Sequence, residues 1–115
     1  MISINISINN KALISKYIVE GHANYREYGE DIVCAAVSML SQTTLLALNQ
    51  VCKIDEEDLD FTIDDEIGYL EVNLPQNLDK DQATKAETVL RTFEVGIKSI
   101  RETYPKYITL KYREV

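Results

Sequence analysis

One stripe constrains this chain more than any other feature. From Ala86, apolar side chains return at Leu90, Phe93, Ile97, Ile100 and Tyr104, at spacings of four, three, four, three and four. That rhythm matches the helical turn and puts all six on one face. Asp79 with Gln82 has the form of a capping box at the helix start, and Pro105 stops the helix because it has no N–H to donate. A one-sided helix needs a second layer to bury its stripe. The N-terminus supplies one. Ile2, Ile4, Ile6 and Ile8 alternate strictly with Ser3, Asn5, Ser7 and Asn9, and period two in β-branched residues is a half-buried strand.

The remaining segments fit between these two. Asn9-Asn10 supplies a turn, and Leu13 to Glu20 reads as the antiparallel return strand of a hairpin. Residues 23–30 read as a loop that bends at Gly29. Asp31 is a good N-cap for a helix from Ile32 to Cys52. That helix is apolar on most sides, which predicts a central, buried element. Lys53 to Asp58 is a charged connector. Leu59, Phe61 and Ile63 alternate as a third strand, Asp64-Asp65-Glu66 turns the chain, and Ile67 to Leu74 returns until Pro75 ends it. Tyr107 to Tyr112 reads as a last strand. The order is β-β-α-β-β-α-β. It predicts one α+β domain over residues 1–115, two-layered, with an antiparallel or mixed sheet and both helices packed on one face.

Charge and cysteine content exclude several classes of function. The net charge is −7, and no cluster of Lys and Arg offers the counterion release that nucleic-acid binding needs. An acidic surface suits a basic peptide partner, although the same balance also simply keeps a protein in solution. The run Asp55-Glu56-Glu57-Asp58 reads as a solvated connector, with a docking patch for basic substrate as the other reading. No uninterrupted apolar run approaches the roughly 20 residues of a membrane span, and the N-terminus lacks the pattern of a secretory signal, so a cytoplasmic protein is expected. Cys34 and Cys52 near opposite ends of one helix would lie roughly 27 Å apart, too far for a bridge. One histidine and two distant cysteines do not compose a zinc set. No metal or cofactor is expected.

The chemistry-bearing stretch runs from Gly21 to Ser38. It holds the single histidine, His22, and one of the two cysteines, Cys34. A strand ends at His22 and a helix begins just before Cys34. With Asp31 as N-cap, Cys34 would sit in the first turn, where free amides and the helix dipole favour a thiolate. His22, folded back within hydrogen-bond reach, would lower the thiol pKa further and protonate a leaving amine. The first-turn amides would stabilise an oxyanion. Asp31 either caps the helix or orients His22, and its residue type favours capping. Ser38, one turn beyond Cys34, shares its face and either bonds within the site or fills a small-residue contact. Tyr25 and Tyr28 either grip a peptide from the loop or pack down. A buried cysteine is also commonly a small hydrophobe, which is how Cys52 reads.

Gly21-His22-Ala23, Gly29, Asp31-Ile32-Val33-Cys34-Ala35 and Ser38 closely resemble the ribosomal-processing cysteine protease family Prp (YsxB-like), and the resemblance extends over essentially the whole chain. It implies a cysteine protease that trims a short N-terminal extension from large-subunit ribosomal protein twenty-seven, cleaving after bulky hydrophobic residues and working as a small homodimer. The family's histidine and cysteine map onto His22 and Cys34, and its aspartate and serine map onto Asp31 and Ser38. Gly21 would lie in the substrate-responsive segment. Ala36 departs from the glycine of some members, and Asn24-Tyr25-Arg26-Glu27 is less regular across the family. The alternative is a non-catalytic ribosome-assembly or peptide-binding module that holds the same basic segment uncut.

Overall fold

The structure, a computed structural model, describes the backbone of residues 1–21 and 28–115 and the side chains of residues 1–21 and 31–115. The elements are β1 (Ile2–Ile8), β2 (Ile14–Glu20), α1 (Tyr28–Gln50), a short 3-10 turn (Glu56–Asp58), β3 (Asp60–Asp64), β4 (Tyr69–Asn73), α2 (Lys80–Thr103) and β5 (Ile108–Glu114). The five strands form one sheet in the order β3-β4-β2-β1-β5. β5 runs parallel to β1, while the β1–β2, β2–β4 and β3–β4 pairs are antiparallel. The sheet is therefore mixed.

Period two does what the N-terminus promises. Ile2, Ile4 and Ile6 are buried on the helix side, at no more than 3% exposure. In the turn after β1, Asn9 Oδ1 accepts the backbone N–H groups of Lys11 and Leu13 at 2.9 and 3.1 Å. The left-handed residue there is Ala12, not an asparagine. Across the other face, Tyr69 and Asn73 donate to Glu71 at 2.6 and 3.0 Å, and Lys16 approaches it at 3.6 Å.

α2 follows its stripe. Ala86, Leu90, Phe93 and Ile97 are buried, and Ile100 and Tyr104 pack at the margin. The capping box is present: Gln82 N donates to Asp79 Oδ1 at 2.8 Å, and Asp79 N donates to Gln82 Oε1 at 3.3 Å. One buried residue breaks the apolar pattern. Glu94 lies among Arg91 (3.2 Å), Lys98 (3.8 Å) and the Tyr112 hydroxyl (2.5 Å), so it ties α2 to β5. Burial pushes its carboxyl up, but the Tyr112 and Arg91 hydrogen bonds and the two cations outweigh that and hold it below the usual range.

α1 departs from expectation in two ways. It begins at Tyr28, not after Asp31, so Gly29 lies inside the helix and Asp31 belongs to its first turn and is no N-cap. It is also not buried all round. Val33, Val37, Ser41, Thr44 and Leu48 face the core, whereas Met39 and Leu46 are 67% and 55% exposed. A two-layer domain covers a helix on one side only, so an apolar far side stays in solvent. Asp31–Gln50 forms a helix long and apolar enough, at mean hydropathy 1.5, to cross a membrane on length and composition alone. Its buried stripe packs into the domain core through Val33, Val37 and Leu48.

Gly21 ends β2 with φ +139°, and a Cβ there would meet Met1 O at 2.5 Å and Ile2 Cα at 2.9 Å. Gly96 lets α2 approach α1, where a Cβ would meet only the Leu40 side chain, with Cδ2 at 2.6 Å and Cδ1 at 3.3 Å. Gly21→Ala should therefore cost on the order of 1–3 kcal/mol or more, since both the strain and the backbone contact are fixed. Gly96→Ala should cost less, because the Leu40 methyl can rotate away and alanine gains about 1 kcal/mol of helix propensity. Urea unfolding of both variants checks the order. A second prediction concerns acid. Because its folded pKa is lowered, Glu94 contributes stability above the ordinary glutamate range, and that contribution disappears as pH falls through the lowered value. Glu94→Gln should thus lose stability at pH 7 and lose less, relative to the parent, near pH 3, as read from urea midpoints at the two pH values.

Candidate active site

The strand ends and α1 leave one cleft between them. It holds about 190 Å³ and is lined by Ile2, Val19 and Gly21 from the β1–β2 end, by Cys34, Val37, Ser38, Ser41 and Gln42 of α1, and by Ile63, Asp65, Gly68, Tyr69 and Leu70 of the β3–β4 hairpin. The helical spacing accounts for the α1 wall. Residues 34, 38, 41 and 42 return to one face at intervals of three and four, next to the face that Val33 and Val37 bury. Cys34 is half-buried, with a free thiol.

The structure thus brings Cys34, Ser38 and Gly21 together around one space. Gly21 N donates to Gly68 O at 3.1 Å, which pins the end of β2 to the hairpin turn. His22, the next residue in the chain, lies outside the described residues, as do Tyr25 and the side chain of Tyr28. Asp31 is exposed on α1, one turn before Cys34. The position of Cys34 also needs correcting. Since α1 starts at Tyr28, Cys34 lies between one and two turns in, and the free first-turn amides are those of residues 28–31. The dipole effect falls off within that turn, so Cys34 does not have the helix-start environment that the Asp31 cap implied.

The sequence reading missed the hairpin wall. Ile63, Asp65, Gly68 and Tyr69 come from some thirty residues downstream of Cys34, and no local pattern marks them as neighbours. The alternation of Phe61 and Ile63 was the one available signal, since it puts Ile63 on the helix-facing side. Tyr69 hydrogen-bonds Glu71 across the strand pleat, and that bond, then burial, pushes its hydroxyl up to about 12. Its hydroxyl lies with Glu71 on the sheet face away from the helices. Among the described residues no three metal-ligating side chains converge.

The second cysteine has the opposite surroundings. Cys52 follows the C-terminal end of α1, 1% exposed. Lys53 takes a left-handed turn there, and Ile54 N donates to Leu48 O at 3.2 Å. Burial pushes the Cys52 thiol up, Lys85 opposes it and Asp81 adds to it.

A family model described as cysteine protease Prp matches residues 1–109. The ribosomal processing cysteine protease Prp of Staphylococcus aureus (strain Mu50) is 30% identical over 113 residues, covering 98% of this chain and 100% of that protein. The essential ribosomal processing protease Prp from S. aureus in complex with a substrate peptide superposes with a TM-score of 0.81 at 28% identity, covering 98% of this chain and 100% of the other. The same protease in complex with a covalently linked product peptide gives 0.76 at 29% identity with the same coverage.

Iodoacetamide on the native protein should modify one cysteine. Cys34 is accessible at the cleft, whereas Cys52 is enclosed and short of thiolate. Intact mass and peptide mapping should show a single adduct at Cys34; equal labelling of both would contradict this placement.

Proposed function

Since this chain belongs to the cysteine protease Prp family, we propose that it is an endopeptidase that processes a ribosomal protein, with Cys34 as nucleophile and His22 as base and acid. The observation that carries the reading is the shared cleft. Cys34 stands on one wall, and Gly21, bonded to its neighbour His22, stands on another. His22 follows Gly21 directly in the chain, and consecutive Cα atoms are about 3.8 Å apart.

The reaction follows from the two groups. His22 takes the thiol proton, and Sγ attacks the scissile carbonyl carbon. The C–N bond then breaks as the imidazolium returns the proton to the leaving amine, leaving a thioester on Cys34. Water, deprotonated by His22, attacks the thioester carbonyl; the C–S bond breaks, the carboxylate product leaves, and the imidazolium returns its proton to Sγ of Cys34. Asp31, removed from the cap by the earlier helix start, is assigned to orienting His22. Ser38, one turn past Cys34 at the cleft, is assigned with Gly21 to contacting the substrate, and Tyr25 and Tyr28, the latter at the start of α1, to gripping it.

The substrate is the N-terminal extension of large-subunit ribosomal protein twenty-seven, cut after bulky hydrophobic residues. Ile2, Val19, Val37 and Leu70 give the cleft apolar walls for such a side chain, and the net charge of −7 suits a basic chain and disfavours direct nucleic-acid contact. The protein works in the cytoplasm, where that substrate is made, without a cofactor. It works as a homodimer, supported by the uncharged stretch from Ile32 to Cys52 that leaves Met39 and Leu46 in solvent.

A synthetic peptide spanning the extension should yield two fragments by mass spectrometry with the parent protein and remain whole with Cys34→Ala. His22→Ala should lower kcat/KM by about 10²–10⁴. Cleavage by Cys34→Ala at the parent rate would reject the assignment of the nucleophile.

A further inference from the structure

The sheet ends on β3, and its outer edge runs beside the cleft. Among the described residues only β4 pairs with β3, so half of the strand's backbone groups face away from the sheet. The register identifies them. β4 bonds β2 at both ends, through Gly21 N to Gly68 O at 3.1 Å and Leu74 N to Ser15 O at 3.0 Å. Successive residues of a strand direct their N–H and C=O groups to opposite sides. Residues 68, 70, 72 and 74 therefore face β2, and Tyr69, Glu71 and Asn73 face β3. Their partners are Asp64, Thr62 and Asp60. Phe61 and Ile63 are left with N–H and C=O pointing outward.

Ile63 is the joint between this edge and the site. Its side chain is 51% exposed and lines the same cleft as Cys34, while its backbone offers a donor and an acceptor at the edge. Exposed edges are usually blunted by lysine, proline or a bulge, and β3 carries none of these. It carries Asp60 and Asp64, and Asp65 and Glu66 follow. Those carboxylates decide the occupant. A second copy paired on this edge would set aspartates against aspartates, which is repulsive, whereas a cationic extended chain is attracted.

We propose that the outer edge of β3 is where the substrate docks: the chain flanking the scissile bond adds as a sixth strand through Phe61 and Ile63, and its Lys and Arg side chains meet Asp60, Asp64, Asp65 and Glu66. This rests on the reading of Cys34 as a peptide-cleaving nucleophile. Strand addition supplies affinity from main-chain bonds and leaves alternate side chains to select the sequence. One alternate side chain would enter the apolar cleft beside Cys34.

The test measures binding apart from cleavage. A fluorescent peptide spanning the extension is titrated against Cys34→Ala protein, and a set of peptides N-methylated at one amide each is titrated alongside. Methylation should weaken binding roughly five- to tenfold at alternate amides and have little effect at those between. Ile63→Pro removes an outward N–H without breaking the β3–β4 ladder, so it should bind roughly five- to tenfold more weakly than Ile63→Ala at unchanged circular dichroism. A flat methylation profile, or equal binding by Ile63→Pro and Ile63→Ala, overturns the edge proposal, as does an absence of binding. The two readings fail separately. Cleavage by the parent with a flat profile removes the edge and leaves the protease. A two-residue period with cleavage undiminished in Cys34→Ala keeps the edge and removes the nucleophile.

Discussion

Both helices hang from one side chain. Tyr17 of β2 packs its ring on Phe93 of α2, with centroids 4.5 Å apart, and its hydroxyl donates to Ser41 O of α1 at 2.9 Å. The ring and the hydroxyl thus bind different helices, and the residue is 0% exposed. Left without its acceptor, that hydroxyl would cost about 1–3 kcal/mol, so α1 is held in rotation as well as in place. Ser41 reinforces the contact by donating to Val37 O at 2.6 Å. With Val37 and Ser41 turned to the sheet, Cys34 and Ser38 come round to the gap beside β2. The orientation of the candidate nucleophile follows from a bond roughly two turns further along its helix.

α1 and the turn that follows it hold the two cysteines in different surroundings. Cys34 looks into a cleft bordered by strand ends and a hairpin, where a substrate can reach it. Cys52 closes the far end among core side chains. Residue type is the same in both, so access and surroundings separate a candidate nucleophile from a space-filling thiol. The family match over residues 1–109 includes both positions, and the fold explains why only the first lies where chemistry is feasible.

Legibility followed the range of the signal. The Ala86–Tyr104 stripe, its capping box and the Ile2–Ile8 alternation are local patterns, and each formed as read. The start of α1 did not, because Gly29 and Asp31 carry opposite local signals to the helix that runs through them, and local propensity is a weak prior against packing. The apolar residues between Ile32 and Cys52 read as a central, buried helix, but composition does not report how many layers cover a helix. Cys34, Ser38 and Gly21 could be gathered from proximity in sequence. Ile63, Gly68 and Tyr69 could not, since their approach depends on β4 choosing β2 as its neighbour, and strand choice leaves no periodic mark. The same holds for β5, whose parallel seat against β1 decided that the sheet is mixed.

That seat has a consequence for how the molecule is made. β1 is the first strand to emerge during synthesis, and one side of it waits for Ile108–Glu114, the last. Until those residues clear the exit tunnel, Ile2, Ile4 and Ile6 stand in an unfinished sheet with an open flank. Contacts this distant in sequence close slowly and late. The β1–β5 pair is therefore the part of the sheet that a folding chain closes late.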